Sequence, residues 1–250
     1  MINILGIIPA RFASTRFPGK PLADILGKPM IQHVYERAMK AKRLCGVLVA
    51  TDDTRIYDCV KNFGGHAVMT GSDLPNGTAR CEEAVRLYGN ASVSAVINIQ
   101  GDEPLMNPSM IDELAELLCD NECVTLCRRL DSDFENPNTV KVVMSQDNNA
   151  LYFSRSLIPY KRNESNLPVY QHIGIYGYMV KFLKEYVSLP NTPLSDAESL
   201  EQLKILEHGR KIYVGITQCV DESIGVDTPE DLERVRRIMK DAGIQACSSS

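Results

Sequence analysis

The strongest constraint on this chain is a regular alternation of short apolar runs with helical patterns through its first half. Residues 4–8, 47–51, 67–69 and 95–99 read as strands. Helices are predicted over residues 29–41, 54–63, 78–88 and 108–118. Such alternation points to βαβ units around a parallel sheet, and it runs to about residue 120. In the first helix, Met30, Ile31, Val34, Tyr35 and Ala38 form one apolar stripe, and Pro29 suits a helix start.

The pattern then changes. Strand-like runs at 140–144, 150–154 and 170–178 follow one another, with a polar loop over 161–166, which predicts an antiparallel excursion or lid. Helices are expected again at 179–187, 199–208 and 228–241, with a strand at 211–217. With 250 residues and 44% hydrophobic content the chain is long enough for one sizeable core. A single domain over 1–243 is expected, with a lobe inserted at roughly 130–195 and a frayed tail at 244–250.

Charge and composition exclude several classes. Acidic residues exceed basic ones, 32 to 27, so no global field draws the chain to nucleic acid or to an anionic membrane. No apolar run approaches the ~20 residues of a membrane span, and the start lacks a basic leader, so a cytoplasmic protein is expected. The eight cysteines are expected to be reduced, buried thiols. Cys119, Cys123 and Cys127 repeat every four residues, but Cys123 to Cys127 sits in a strand-like run without the paired spacing of a zinc site.

Three segments carry the chemistry. Between Arg11 and Leu22, directly after the first strand, lie the cations Arg11, Arg16 and Lys20, the hydroxyls Ser14 and Thr15, and Gly19. Ligands of open α/β sheets sit beyond the carboxyl ends of strands, and a loop this basic can neutralise a triphosphate there; a solvated surface loop is the plainer alternative. The loop is not a P-loop, because Ser14 stands where glycine would be needed and Pro21 where a magnesium-binding hydroxyl would be. Nor does it contain the GxGxxG of a dinucleotide-binding oxidoreductase.

The second segment is Gln100-Gly101-Asp102-Glu103-Pro104, which places Asp102 at the end of a strand beside a glycine that permits close ligand approach. In the third, Asp227-Thr228-Pro229, the aspartate is equally a metal ligand or an ordinary helix cap. Asp102 and Asp227 together would suit one magnesium ion.

These motifs, with Ala50-Thr51-Asp52, Ala150-Leu151-Tyr152-Phe153-Ser154-Arg155, His172-Ile173-Gly174-Ile175-Tyr176-Gly177-Tyr178 and Leu200-Glu201-Gln202-Leu203, resemble the 3-deoxy-manno-octulosonate (Kdo) cytidylyltransferases over residues 4–239. The resemblance implies a Rossmann-like, mostly parallel α/β sheet flanked by helices, with a smaller antiparallel dimerisation lobe. It also implies a cytosolic homodimer that joins CMP from CTP to an acidic sugar for lipopolysaccharide synthesis, with Mg2+ as cofactor.

By the same resemblance, Lys20, Asp102 and Asp227 are catalytic, and the two aspartates hold the metal. Pro9, Ala10, Arg11, Ser14, Arg16, Lys20, Asn76, Gly77, Thr78 and Arg80 would bind the nucleotide. Gln100, Arg155, His172, Tyr176, Glu201 and Gln202 would face the sugar. Read without the family, His172 and Tyr176 share a strand face that a core histidine would also occupy, and Glu201 and Gln202 would open a surface helix.

One departure stands out. The family has an acidic residue before the arginine, whereas this chain reads Asn76-Gly77-Thr78-Ala79-Arg80, which removes a charge that could orient Arg80. Activation of sialic acid or of 8-amino-Kdo, and a non-catalytic nucleotide- or sugar-binding module, are the competing expectations. The module would lack the carboxylates and the basic loop that this sequence contains.

Overall fold

The first strand, β1 (Ile4–Ala10), is an apolar run buried along almost its whole length, as a strand covered on both faces must be. A 3-10 turn (Lys20–Leu22) and a short hairpin, β2 (Asp24–Ile25) and β3 (Lys28–Pro29), lead into α1 (Met30–Ala38). Then come β4 (Leu44–Thr51), α2 (Thr54–Asn62), β5 (Ala67–Met69), α3 (Gly77–Tyr88), β6 (Ala95–Asn98) and α4 (Pro108–Leu117). The computed structural model describes residues 2–13, 17–163, 166–219 and 224–243. It comprises two compact units, Met1–Asp112 with Cys219–Ser250, and Glu113–Gln218.

In the first unit β1 pairs in parallel with β4 on one side, from Ile4↔Leu44 to Ala10↔Thr51, and with β6 on the other, from Ile4↔Ala95 to Ile7↔Asn98. β5 adds to the far edge of β4, also in parallel. From β1 the chain first builds outward through β4 and β5, then crosses back to place β6 on the opposite edge. The gap between β1 and β6 is therefore a topological switch point, where loops from neighbouring strands diverge and leave a crevice.

The second unit holds β7 (Cys123–Leu130), β8 (Lys141–Met144), β9 (Ala150–Ser154), β10 (Val169–Met179), α5 (Val180–Ser188), α6 (Pro193–Glu198), α7 (Leu203–Glu207) and β11 (Tyr213–Ile216). β7 lies antiparallel to β10 and parallel to β11, and β8 bridges β10 and β9 in antiparallel fashion. The register of β10 against β7 shifts between Ile173 and Tyr176, which leaves Gly174 and Ile175 as extra residues in a bulge.

One helix differs from expectation. The helix predicted over 199–208 begins four residues later, at Leu203, and the unforeseen α6 precedes it. Thr192 and Ser195 form a capping box with Pro193 in the first turn, which starts α6 early, and Ser199 then adopts a left-handed conformation (φ 51°) that stops it. Glu201 therefore lies in a turn, and Gln202 stands at the N-cap position of α7 without a side-chain capping bond.

The chain returns to the first unit as α8 (Pro229–Asp241). Its inward face, Leu232, Val235 and Met239, packs with Ile25, Met30, Leu105 and Val226 in one buried cluster. That cluster fixes the position of the segment just before α8. Among the described residues no helix is long and apolar enough to cross a membrane.

Candidate active site at the switch point

The loops after β1 and β6 carry the two residues that meet first. Lys20 enters through Gly19, whose left-handed backbone (φ 72°) opens the 3-10 turn, and a Cβ there would come within 3.0 Å of the Phe12 ring. The Gly19 N–H closes the loop on the Phe12 carbonyl at 2.9 Å, and the Phe12 ring lies 3.3 Å beneath the Arg55 guanidinium carbon. On the other loop, a Cβ at Gly101 would stand 2.7 Å from the Pro9 carbonyl oxygen, so only glycine lets this loop lie against the end of β1. Asp102 follows directly.

The Lys20 Nζ donates to Asp102 Oδ2 at 2.7 Å, to the Val226 carbonyl at 2.9 Å and to Asp227 Oδ1 at 3.2 Å. Asp102 and Asp227, far apart in sequence, thus converge on one cation. The helix-cap alternative for Asp227 is resolved by its neighbour. Thr228 caps α8, accepting from the Asp231 N–H, while Asp231 Oδ2 accepts from the N–H groups of Asp227 and Thr228 and from the Thr228 hydroxyl. Burial works against the Asp231 carboxylate, but these hydrogen bonds hold its pKa below the ordinary value. The carboxylate of Asp227 is thereby turned toward Lys20.

Arg80 is fully buried. Its Nη2 donates to Asp52 Oδ2 at 2.9 Å and its Nη1 to the Thr70 hydroxyl, whereas its Nε has no hydrogen-bond partner. Burial lowers its pKa, and the Asp52 charge opposes that shift. The orientation of Arg80 thus comes from Asp52 and Thr70, and Ala79 is not needed for it. Asn76 caps α3, accepting from the Ala79 N–H at 2.8 Å, and Thr78 is buried in the first turn. Gly77 packs on Pro9, with a Cβ there 3.3 Å from the proline ring, so Pro9 lies between Gly77 and Gly101. Ala10 is buried, and Arg11 donates to the Leu74 carbonyl. Gln100 sits on the Asp102 loop, its carbonyl accepting from the Glu103 N–H. Ser14 and Arg16 lie outside the described residues.

In the second unit His172 and Tyr176 do share a face, their ring centroids 5.3 Å apart. Phe153 stands edge-on to His172 at 5.0 Å, and Tyr178 stacks beyond Tyr176 at 5.7 Å. The Thr125 hydroxyl is 3.0 Å from His172 Nε2 and also faces the carbonyls of Ile173 and Ile175. Its one proton goes to a carbonyl, so the imidazole Nε2–H is the donor to Thr125. Enclosure in this row pushes the His172 pKa down to about 3. The buried Tyr176 hydroxyl makes no hydrogen bond of ordinary geometry, Thr125 being the polar group beside it.

Glu201 accepts from the Tyr186 hydroxyl at 2.8 Å, and its charge reaches Tyr176. Gln202 is buried. Arg155 is held differently, donating to the carbonyls of Glu198 at 2.8 Å and Pro137 at 3.0 Å. Among the described residues no hydrogen bond or ion pair joins Arg155 to His172 or Tyr176. Cys123 and Cys127 are buried in β7, where burial pushes the Cys127 thiol up to about 12, but the expectation of buried thiols fails at Cys45 and Cys119, which are exposed.

A sequence profile of the cytidylyltransferases matches residues 5–212. The chain belongs to the cytidylyltransferase family. It is 52% identical over 242 residues to the 3-deoxy-manno-octulosonate cytidylyltransferase of Thermodesulfovibrio yellowstonii, covering 91% of this chain and 94% of that protein. It is 48% identical over 245 residues to the 8-amino-3,8-dideoxy-manno-octulosonate cytidylyltransferase of Shewanella amazonensis, covering 96% and 99%. A solved structure of CMP:2-keto-3-deoxy-manno-octonic acid synthetase complexed with CTP superposes with a TM-score of 0.90 at 42% identity, covering 96% of this chain and 99% of that one. The fold is thus that of a mixed α/β cytidylyltransferase.

Several groups that surround Lys20 and Arg80 carry little or no signal in the sequence. Asp52 was legible only as part of a motif, with no role, and Thr70 and the Val226 carbonyl carry no signal at all. Thr228 was visible as one of two possible caps.

Proposed function

We propose that this cytidylyltransferase activates Kdo, transferring CMP from CTP to the anomeric hydroxyl of the sugar and releasing diphosphate. The carrying observation is the meeting of Lys20, Asp102 and Asp227 at the switch point of the parallel sheet. Such a reaction needs charge placed where phosphate oxygens sit, and no protein nucleophile. In this reading Arg11, Arg16, Lys20 and Ser14 take the triphosphate. Pro9, Ala10 and the start of α3 (Asn76, Gly77, Thr78), backed by Arg80, take the nucleoside.

Magnesium is the proposed cofactor. Two carboxylates and a carbonyl oxygen already converge on one cation, the hard-oxygen donor set this ion prefers. Held by Asp102 and Asp227, it would lower the pKa of the attacking hydroxyl and offset charge on the phosphate. On the sugar side we assign Gln100, Arg155, His172, Tyr176, Glu201 and Gln202. Support comes from the buried Tyr176 hydroxyl, which makes no hydrogen bond of ordinary geometry and could take a sugar hydroxyl as partner. Homodimerisation, a cytoplasmic location and a role in lipopolysaccharide synthesis belong to the same proposal.

The test is diphosphate release from CTP and magnesium with Kdo, its 8-amino analogue or N-acetylneuraminate. Turnover with Kdo is expected. Turnover only with the 8-amino sugar would move the specificity to that of the Shewanella relative, and silence with all three would remove the proposal.

A further inference from the structure

We infer that Lys20 is the resident counter-cation of the carboxylate pair, and that it must leave the pair before a divalent ion can enter. The inference rests on reading Asp102 and Asp227 as metal ligands. An ammonium has three protons, and three oxygens face Lys20 Nζ: Asp102 Oδ2 at 2.7 Å, the Val226 carbonyl at 2.9 Å and Asp227 Oδ1 at 3.2 Å. In this arrangement Lys20 has no proton left for a phosphate oxygen. Holding the carboxylates and holding a nucleotide phosphate are therefore alternative states of one side chain.

The backbone of Lys20 is tied down by the turn it opens. Leu22 N–H donates to the Gly19 carbonyl at 2.9 Å and Ala23 N–H to the Lys20 carbonyl at 3.0 Å, so movement falls to the flexible four-carbon chain. The Lys20 side chain is 15% exposed, against 30% for Asp102 and 44% for Asp227, so the ammonium is more enclosed than either carboxylate it joins. With Lys20 in place the trio carries one net negative charge; with Lys20 withdrawn the pair carries two. A divalent ion is thus opposed by both occupancy and charge until a phosphate draws the ammonium away.

Metal and nucleotide are then positively coupled, and the coupling is reciprocal. The ammonium fills the cation position until phosphate arrives, so the chain holds little metal in the absence of nucleotide.

The decisive experiment measures Mn2+ binding without nucleotide, from the paramagnetic signal of the free ion. It compares the natural chain with Lys20→Met and, as a polar neutral variant guarding against misfolding, Lys20→Gln. Both variants are expected to bind Mn2+ about tenfold or more tightly than the natural chain, within the range common for coupled sites. The ion should also raise their melting temperatures while leaving the natural chain little changed. Equal or weaker binding in both variants overturns the inference. Adding Asp102→Asn to Lys20→Met separates the two claims. Loss of the gain supports both, whereas tight binding that survives it places the ion elsewhere and overturns the metal reading of the pair itself.

Discussion

The N–H of Val226 donates to the backbone carbonyl of Asp102 at 2.8 Å, and this bond sets the register between the two carboxylate-bearing segments. It joins the loop after β6 to the lead-in of α8, so main chain positions the backbone of Asp227 while its carboxylate accepts from Lys20. Asp102→Asn should leave that bond intact and the fold unchanged by circular dichroism. Diphosphate release should fall on the order of 100-fold or more, because a neutral amide is a poorer ligand for magnesium and a weaker partner for Lys20. Near-natural turnover would remove Asp102 from the machinery.

Thr228 and Asp227 divide two tasks that the sequence alone could not separate. Thr228→Ala should cost about 1 kcal/mol in equilibrium unfolding, the usual worth of a helix cap. Asp227→Asn should cost less, yet affect turnover far more. The Thr228–Asp231 box should also be sensitive to acid. The Asp231 pKa is depressed in the fold, so its contribution is complete above the unfolded value of about 3.9 and is lost as pH falls through the folded value. The stability gap between the natural chain and Asp231→Asn should therefore be constant above pH ~4 and close below it; a gap independent of pH would contradict the assignment.

The first-unit strands and their helices were legible because apolar periodicity is a local signal. The meeting of Asp227 with Lys20 was not, since an aspartate before Thr-Pro reads equally well as a helix cap until a neighbour is seen to take the cap. The helix placed over 199–208 erred for a similar reason. Apolar spacing runs on through Leu200 and Leu203, while the left-handed backbone at Ser199 leaves no mark in composition. Arg80 and Asp52 stand 28 positions apart on different elements, so no spacing rule could pair them.

That pair makes its own prediction. Asp52→Ala would strand a guanidinium with no exposed surface, and unpairing a buried charge costs about 3–5 kcal/mol. Ala79→Asp, which restores the family's carboxylate, should change the KM for CTP by less than about threefold, under 1 kcal/mol of binding, because Asp52 and Thr70 already orient Arg80. A tenfold drop in KM for Ala79→Asp would show that residue 79 sets nucleotide affinity.

His172 should behave as a neutral group throughout the working range. Its folded pKa is pushed down to about 3 by burial, against about 6.5 unfolded, so between those values the unfolded chain binds the extra proton. Stability should then rise with pH across that window and fall as the solution is acidified from about 6.5 toward 3, the opposite of a histidine that gains a carboxylate partner. The imidazole NMR signal should show no midpoint between about pH 5 and 8, and the tautomer with the proton on Nε2, the donor to Thr125, should persist. Substitution by Asn keeps a donor for Thr125 and removes the titration, so His172→Asn should flatten that part of the stability profile. A midpoint near 6.5 in the natural chain would mean that the imidazole is open to water, as a group used directly for proton transfer would be.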